Sequence, residues 1–287
     1  MRLGYHVSIA GKIYEAIDRA VELDCGCMQI FSRNPRGWKV AALSRTDAEE
    51  FQRRRREAYI YPVLVHIPYI INLATPEDRL YKISIASYIE DIKRADMLGA
   101  EYFVTHLGSH RGRGERYGLK RFTSALNTVI GEVRPKTTIL LESTAGAGAS
   151  LGYKFEHMAA IIKGVKNKDK IGVCLDTQHI YAAGYDIVKN LNGTISAFDD
   201  IIGLDRLKAM HLNDSKSGLG SRVDRHEHIG KGNIGLKAFK KILNHPKLRH
   251  LPFIMETPME TRRDDINNME SAKSLCKKEY YEGRVSA

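Results

Sequence analysis

Short apolar runs alternate with amphipathic segments along the whole 287-residue chain. Eight runs, at residues 5–9, 28–31, 63–65, 102–105, 138–141, 171–175, 207–210 and 253–255, read as strands. Between the first two, Ile13, Ala16, Ile17, Ala20 and Val21 keep helical spacing, which predicts a helix over 13–23 with Gly26 as its stop. Ser44-x-x-Asp47 has the form of a capping box opening a helix to about residue 59. Further helices are expected up to Leu98 with Gly99 closing it, then over 119–133, 155–164, 196–202 and 264–276. Residues 277–287 read as a frayed tail. Near-continuous apolar strands suit a parallel sheet covered on its outer face. Eight strand–helix units in a chain of this length predict one α/β domain over residues 1–287, a (β/α)8 TIM barrel. An open doubly wound sheet is the alternative.

The strand ends carry the chemistry. From the third strand to the eighth, the residue that stops each run is His66, His106, Glu142, Asp176, His211 and Glu256 in turn. Active sites of this barrel type sit at the C-terminal strand ends, so the six side chains are expected to converge on one mouth. Asp176-x-x-His179 adds an imidazole. The stretch 211–235, dense in Gly, His, Asp and basic residues, adds Asp224 and His226 as a D-x-H pair. His228, in the same stretch, is left outside the set and expected to be solvated. The set offers nitrogen and oxygen donors without sulfur. Three protein ligands per ion is the catalytic-zinc pattern, so the set suits two or three ions. Imidazole–carboxylate mixtures favour Zn, Mn or Fe over Mg or Ca. Such a cluster supports Lewis-acid chemistry on an anionic oxygen, with hydroxide available near neutral pH. Phosphodiester hydrolysis is the first expectation. A metal-dependent sugar isomerase or epimerase is the rival.

Charge and the loops point the same way. Lys and Arg number 45 against 34 Asp and Glu, a formal net charge of +11 that favours a polyanionic partner. The loop 32–39 interleaves Asn34, Arg36 and Lys39 with the sole tryptophan, Trp38. Tyr69 and Ile70 follow the ligand His66 and suit a wedge in a base stack. Arg111, Arg113 and Arg116 are candidates for phosphate contact, and so are Lys216, Arg222 and Arg225. Arg53–Arg56 read instead as a solvated helix face. The four cysteines suggest small buried hydrophobes rather than a disulfide framework. No apolar run approaches the ~18 residues of a membrane span, and the first residues lack a signal-peptide layout, so a cytoplasmic protein is expected.

At these residues the chain resembles the endonuclease IV family of apurinic/apyrimidinic endonucleases, over nearly its full length. The resemblance is carried by G-Y-H-V-S-I-A-G at 4–11, V-H-I-P-Y-I-I-N-L-A at 65–74, H-L-G-S-H at 106–110 and L-E-S-T-A-G at 141–146. It continues through L-G-Y-K-F-E-H at 151–157, G-V-C-L-D-T-Q-H-I-Y-A-A-G-Y-D at 172–186 and M-H-L-N-D-S-K-S-G-L-G-S-R-V-D-R-H at 210–226. It implies a barrel with three zinc ions: His66, His106 and Glu142 on the first, Glu142, Asp176, His211 and Glu256 on the second, His179, Asp224 and His226 on the third. Mn2+ or Fe2+ at individual sites is compatible with it. It implies that Arg36, Tyr69 and Ile70 fill the gap left in the base stack by a flipped abasic nucleotide; Asn34, Arg222 and Arg225 are further expected DNA contacts, and Glu142, Asp176 and Glu256 the expected catalytic carboxylates. The implied partner is double-stranded DNA with abasic sites or blocked 3′ ends, and a monomer suits access to such a duplex; a binder of damaged DNA that does not cut is a further rival. The implied reaction cuts 5′ to the abasic site and leaves a 3′-hydroxyl. Departures from the family pattern are Gln178 where Cys is frequent, Ser143 and Ala147 in the run usually written E-N-T-A-G-Q-G, Ile70 for Leu, and Lys231 for Glu. None is a ligand position.

Overall fold

The computed structural model describes residues 1–38, 41–259 and 261–280. Eight parallel strands close a barrel: β1 (Arg2–His6), β2 (Cys27–Phe31), β3 (Val63–His66), β4 (Tyr102–Thr105), β5 (Thr138–Glu142), β6 (Ile171–Asp176), β7 (Leu207–His211) and β10 (Pro252–Met255), with β10 pairing back onto β1. The expected fold is therefore the observed one. Between β7 and β10 a short antiparallel pair, β8 (Asp214–Ser215) and β9 (His226–Glu227), stands outside the barrel.

The outer helices are α1 (Glu15–Glu22), α2 (Arg45–Glu57), α3 (Asp78–Met97), α4 (Glu115–Val133), α5 (Phe155–Gly164), α6 (Thr177–Ala183), α7 (Leu191–Ile201), α8 (Gly235–Leu243) and α9 (Arg262–Leu275). Ser44 caps α2, its hydroxyl accepting from Asp47 N at 3.0 Å, but the expected box is only half formed, with the Asp47 carboxylate 3.3 Å from Lys12 Nζ instead. Thr261 and Asp264 form a reciprocal capping box on α9. No helix among the described residues is long and apolar enough to cross a membrane.

Strand parity divides the core in two. Outward residues such as Leu3, Ile30, Val65 and Phe103 pack beneath the helices. Inward residues Cys27, Leu64, Val104, Leu140, Cys174, Ala209 and Ile254 form a separate apolar layer inside the barrel. Gly4 completes that ring, because a Cβ there would lie 1.9 Å from the Cys27 carbonyl oxygen. Cys25, Cys27 and Cys174 are buried free thiols as expected, whereas Cys276 is only half-buried.

Several expectations need correction. The first strand is Arg2–His6, not 5–9, and α1 ends at Glu22 with Asp24 rather than Gly26 in the left-handed region. The short helix α6 and the helix α8 are additional to the expected set, and α7 begins before residue 196. Part of the expected frayed tail is ordered: Lys278–Tyr280 form a 3-10 turn, while 281–287 lie outside the described residues. Arg55 is not solvated but buried, its guanidinium bonded to the Gly99 carbonyl and the Glu101 carboxylate.

Candidate metal centre

Each inward strand position two residues beyond the apolar layer is polar. His66, Glu142, Asp176 and His211 are buried there, with His106 and Glu256 at the edge of the mouth. Three compact groups of potential ligand atoms result: His66, His106 and Glu142; Glu142, Asp176, His211 and Glu256; and Asp176, His179 and His226. Eight of the nine expected ligands fall in these groups. The third contains Asp176 where Asp224 was expected. Asp224 is half-exposed on the solvent side, its Oδ1 3.3 Å from His179 Nε2 and 3.8 Å from His226 Nε2.

Glu142 is the hub. One carboxylate oxygen lies 3.1 Å from His66 Nε2 and 3.2 Å from His106 Nδ1, the other 3.0 Å from His211 Nδ1. Burial alone would raise its pKa, but His106, His211 and His66 hold it well below the carboxylate range. Glu256 behaves alike, with His211 and His6 overcoming burial. Burial lowers His179, yet Asp176, Asp224 and Glu142 together raise it to about 10.

Backbone carbonyls aim the imidazoles. His66 Nδ1 donates to the Ile67 carbonyl at 2.7 Å, His179 Nδ1 to the Ser143 carbonyl at 2.8 Å, and His226 Nδ1 to the Glu256 carbonyl at 3.0 Å. Each leaves Nε2 pointing into the mouth, as ligating imidazoles are commonly held. Asp176 caps α6 by accepting from His179 N at 3.0 Å and takes a bond from Asn213 Nδ2 at 2.7 Å. Asn213 also accepts from Glu256 N at 2.8 Å, so one amide ties two ligand-bearing strand ends.

The loop after β7 is folded by Asp214, a residue that no sequence motif singles out. Its buried carboxylate accepts from the backbone N–H groups of Ser215, Gly230, Gly232, Ile234 and Gly235 at 2.7–3.2 Å. Gly232 is required there, since a Cβ would lie 2.4 Å from the Ser215 carbonyl oxygen. Gln178 Nε2 donates to the Val223 carbonyl at 2.9 Å, which holds the segment bearing Asp224 over the centre. His228 is not simply solvated, because Asn268 Nδ2 lies 2.9 Å from its Nδ1. Two further polar residues stand at the mouth, neither of them among the expected site residues. His6 Nδ1 is 2.9 Å from Glu256 Oε1, and Gln29 lies between Glu256 and His211.

The groups fit divalent ions. His226 Nε2 is buried without a hydrogen-bond partner among the described residues, although buried polar atoms are nearly always paired. It faces Asp176 Oδ2 at 3.6 Å. Buried carboxylates interleaved with imidazoles are the donor set of a multi-ion centre.

The centre floors a cavity of about 680 Å³ rimmed by Arg36, Tyr69 and Met259. Tyr69 is 63 % exposed, but Ile70 packs partly against the core. Asn34 Oδ1 accepts from Arg36 N at 3.0 Å and so shapes the turn that presents the exposed guanidinium. Trp38 is exposed; Lys39 lies outside the described residues. Arg222 and Arg225 are exposed, with the Arg222 guanidinium 4.2 Å above the Tyr153 ring. Lys216 faces Glu227 at 3.8 Å. Arg111, Arg113 and Arg116 are exposed around the start of α4.

Comparison with known proteins agrees with this geometry. Residues 17–278 match the family model described as a xylose isomerase-like TIM barrel. The chain is 48% identical over 266 residues to the probable endonuclease 4 of Halothermothrix orenii, covering 92% of this chain and 96% of that protein. It is 43% identical over 277 residues to the probable endonuclease 4 of Methanoculleus marisnigri, covering 96% and 98%. The crystal structure of endonuclease IV from Thermus thermophilus superposes with a TM-score of 0.87 at 35% identity, covering 96% of this chain and 98% of that one. With 48% identity across nine-tenths of its length, the ligand-lined barrel belongs to the endonuclease 4 family.

Proposed function

We propose that the chain is a zinc-dependent endodeoxyribonuclease of base excision repair. It hydrolyses the phosphodiester 5′ to an abasic site, leaving a 3′-hydroxyl and a 5′-deoxyribose phosphate, and trims blocked 3′ ends. The observation that carries the reading is the set of three ligand groups sharing Glu142 and Asp176 at the floor of one open cavity.

In this reading His66, His106 and Glu142 hold one zinc ion, Glu142, Asp176, His211 and Glu256 a second, and His179, His226 and Asp224 the third. Bound there, the ions supply Lewis-acid stabilisation of phosphate charge and a nucleophile at neutral pH. Glu142, Asp176 and Glu256 set the charge and spacing of the centre, and are the carboxylates whose loss stops the reaction. Arg36, Tyr69 and Ile70 fill the gap in the duplex where a nucleotide is flipped out. Asn34 holds the Arg36 turn, and Arg222 and Arg225 meet the backbone. Flipping is cheapest where a base is already missing, so selectivity needs no base readout. The protein acts as a cytoplasmic monomer, with one domain spanning the chain.

A metal-dependent sugar isomerase uses the same barrel, but the His179–Asp224–His226 edge and the exposed arginines have no part in that chemistry. The test is a duplex carrying one tetrahydrofuran abasic analogue. Chelation is expected to abolish cutting, and zinc to restore it. Full cutting by an Asp176→Ala, Glu256→Ala double variant overturns the proposal.

A further inference from the structure

Gln29 sits on β2 inside the barrel, fully buried, one layer above the apolar ring. Its Nε2 lies 2.6 Å from Glu256 Oε1 and 3.0 Å from His6 Nδ1. Its Oε1 lies 2.9 Å from His211 Nε2. The two ends of this amide are not interchangeable. Turned over, it would press its oxygen against a carboxylate oxygen, two acceptors with no proton between them. Glu256 therefore sets the orientation, NH2 toward the carboxylate and oxygen toward the imidazole. An amide oxygen only accepts, so His211 Nε2 must carry a proton. That leaves Nδ1 as the ring's ligand atom. Nδ1 is the nitrogen that faces the carboxylates, 3.0 Å from Glu142 Oε1, 3.2 Å from Glu256 Oε2 and 3.7 Å from Asp176 Oδ2.

We infer that Gln29 is a positioning residue of the metal centre, setting the tautomer of His211 and the direction of Glu256 through one amide. This rests on the metal-centre reading proposed above. A buried amide bridging two ligands removes two freedoms at once, the rotation of Glu256 and the choice of imidazole nitrogen. Outer partners of this kind are typically worth about 10–100-fold in metal affinity.

The test compares wild type with Gln29→Met, which keeps the length and loses the hydrogen bonds to Glu256 and His211 together with the contact to His6. Zinc per chain is measured by elemental analysis after dialysis against graded EDTA. The variant is expected to lose one ion at chelator strengths about 10–100-fold lower than wild type, with the remaining ions held as before. Nitrogen-correlated NMR of the zinc-loaded wild type, with His211 assigned through His211→Gln, is expected to show the proton on Nε2. A folded variant that releases zinc just as wild type does, or a wild-type His211 protonated on Nδ1, overturns the inference. If Gln29→Met does not fold, the wild-type spectrum decides alone. A wild type that takes up no zinc defeats the metal-centre reading, and this inference with it; normal uptake without the Gln29 effect defeats the inference alone.

Discussion

Two rings of side chains lie inside the same barrel, two residues apart on the same strands, and behave oppositely. The lower ring is Gly4, Cys27, Leu64, Val104, Leu140, Cys174, Ala209 and Ile254. The upper ring is His6, Gln29, His66, His106, Glu142, Asp176, His211 and Glu256. Both are largely buried. In the lower ring burial is itself favourable, and its apolar side chains contribute without needing a polar partner. In the upper ring burial is a cost that only partners offset: Glu142 would be pushed up by burial and is held down by three imidazoles. One advance of the strand period thus converts a stabilising layer into a chemical one. The division follows the separation of stability and activity between the two ends of such barrels.

Substitutions on one pair of positions break this contrast most directly. Glu142→Gln keeps the shape and removes the shared charge. Abasic-duplex cleavage should fall by on the order of 10³-fold or more, about 4 kcal/mol, while circular dichroism still reports a folded barrel. Two residues earlier on the same strand, Leu140→Ala should leave the turnover of folded molecules unchanged and lower the unfolding free energy by about 2–5 kcal/mol, read as a shift in urea midpoint. If Leu140→Ala alters zinc content instead, the rings are not separable.

The upper ring should also announce its charge through protons. Without ions His179 is raised to about 10, so it carries a proton at neutral pH. A raised imidazole contributes stability that is fully present below its unfolded value of about 6.5 and is lost as pH rises through the folded value. Thermal melts of zinc-free protein should therefore lose this contribution between about pH 6.5 and 10. Zinc loading near pH 7 should expel that proton. Calorimetry in two buffers of different ionisation enthalpy reads the release, and buffer-independent heats would contradict it. Asp224→Asn acts at the exposed margin. It should release one ion at a lower chelator strength than wild type without changing the urea midpoint, as elemental analysis after mild chelation would reveal. The smallest effect is expected for Arg222→Ala, outside both rings. DNA binding should weaken a few-fold, with the salt slope reduced by about 1, and zinc content should stay the same.

Six members of the upper ring are legible because each directly follows an apolar run, where a polar residue stands out. His6 is not, because Y-H-V-S-I at 5–9 alternates well enough to read as a strand with His6 inside it. In fact the strand is Arg2–His6 and the imidazole is its final residue. Gln29 lies within M-Q-I-F, where a polar residue in an alternating strand reads as solvent-facing. Barrel closure turns that face inward. Asp214 is illegible for another reason. Most of its amide partners come 16 to 21 residues later, and no local pattern announces them. Ile70 reads as a wedge equal to Tyr69, but Tyr69 is exposed and Ile70 only half-buried; how far each of two adjacent loop residues faces out depends on what the loop rests on.

The order of strands, the barrel and the candidate ligand set with its nitrogen and oxygen donors were legible in the sequence itself, since hydrophobic period and residue type are local properties. The partners of each ligand were decided only in three dimensions. Asp176 joins two groups, Asp224 stands outside the compact triad, and Gln29 selects a nitrogen of His211. Those relations run between strands far apart in the chain, and closure of the sheet is what brings them within hydrogen-bonding distance.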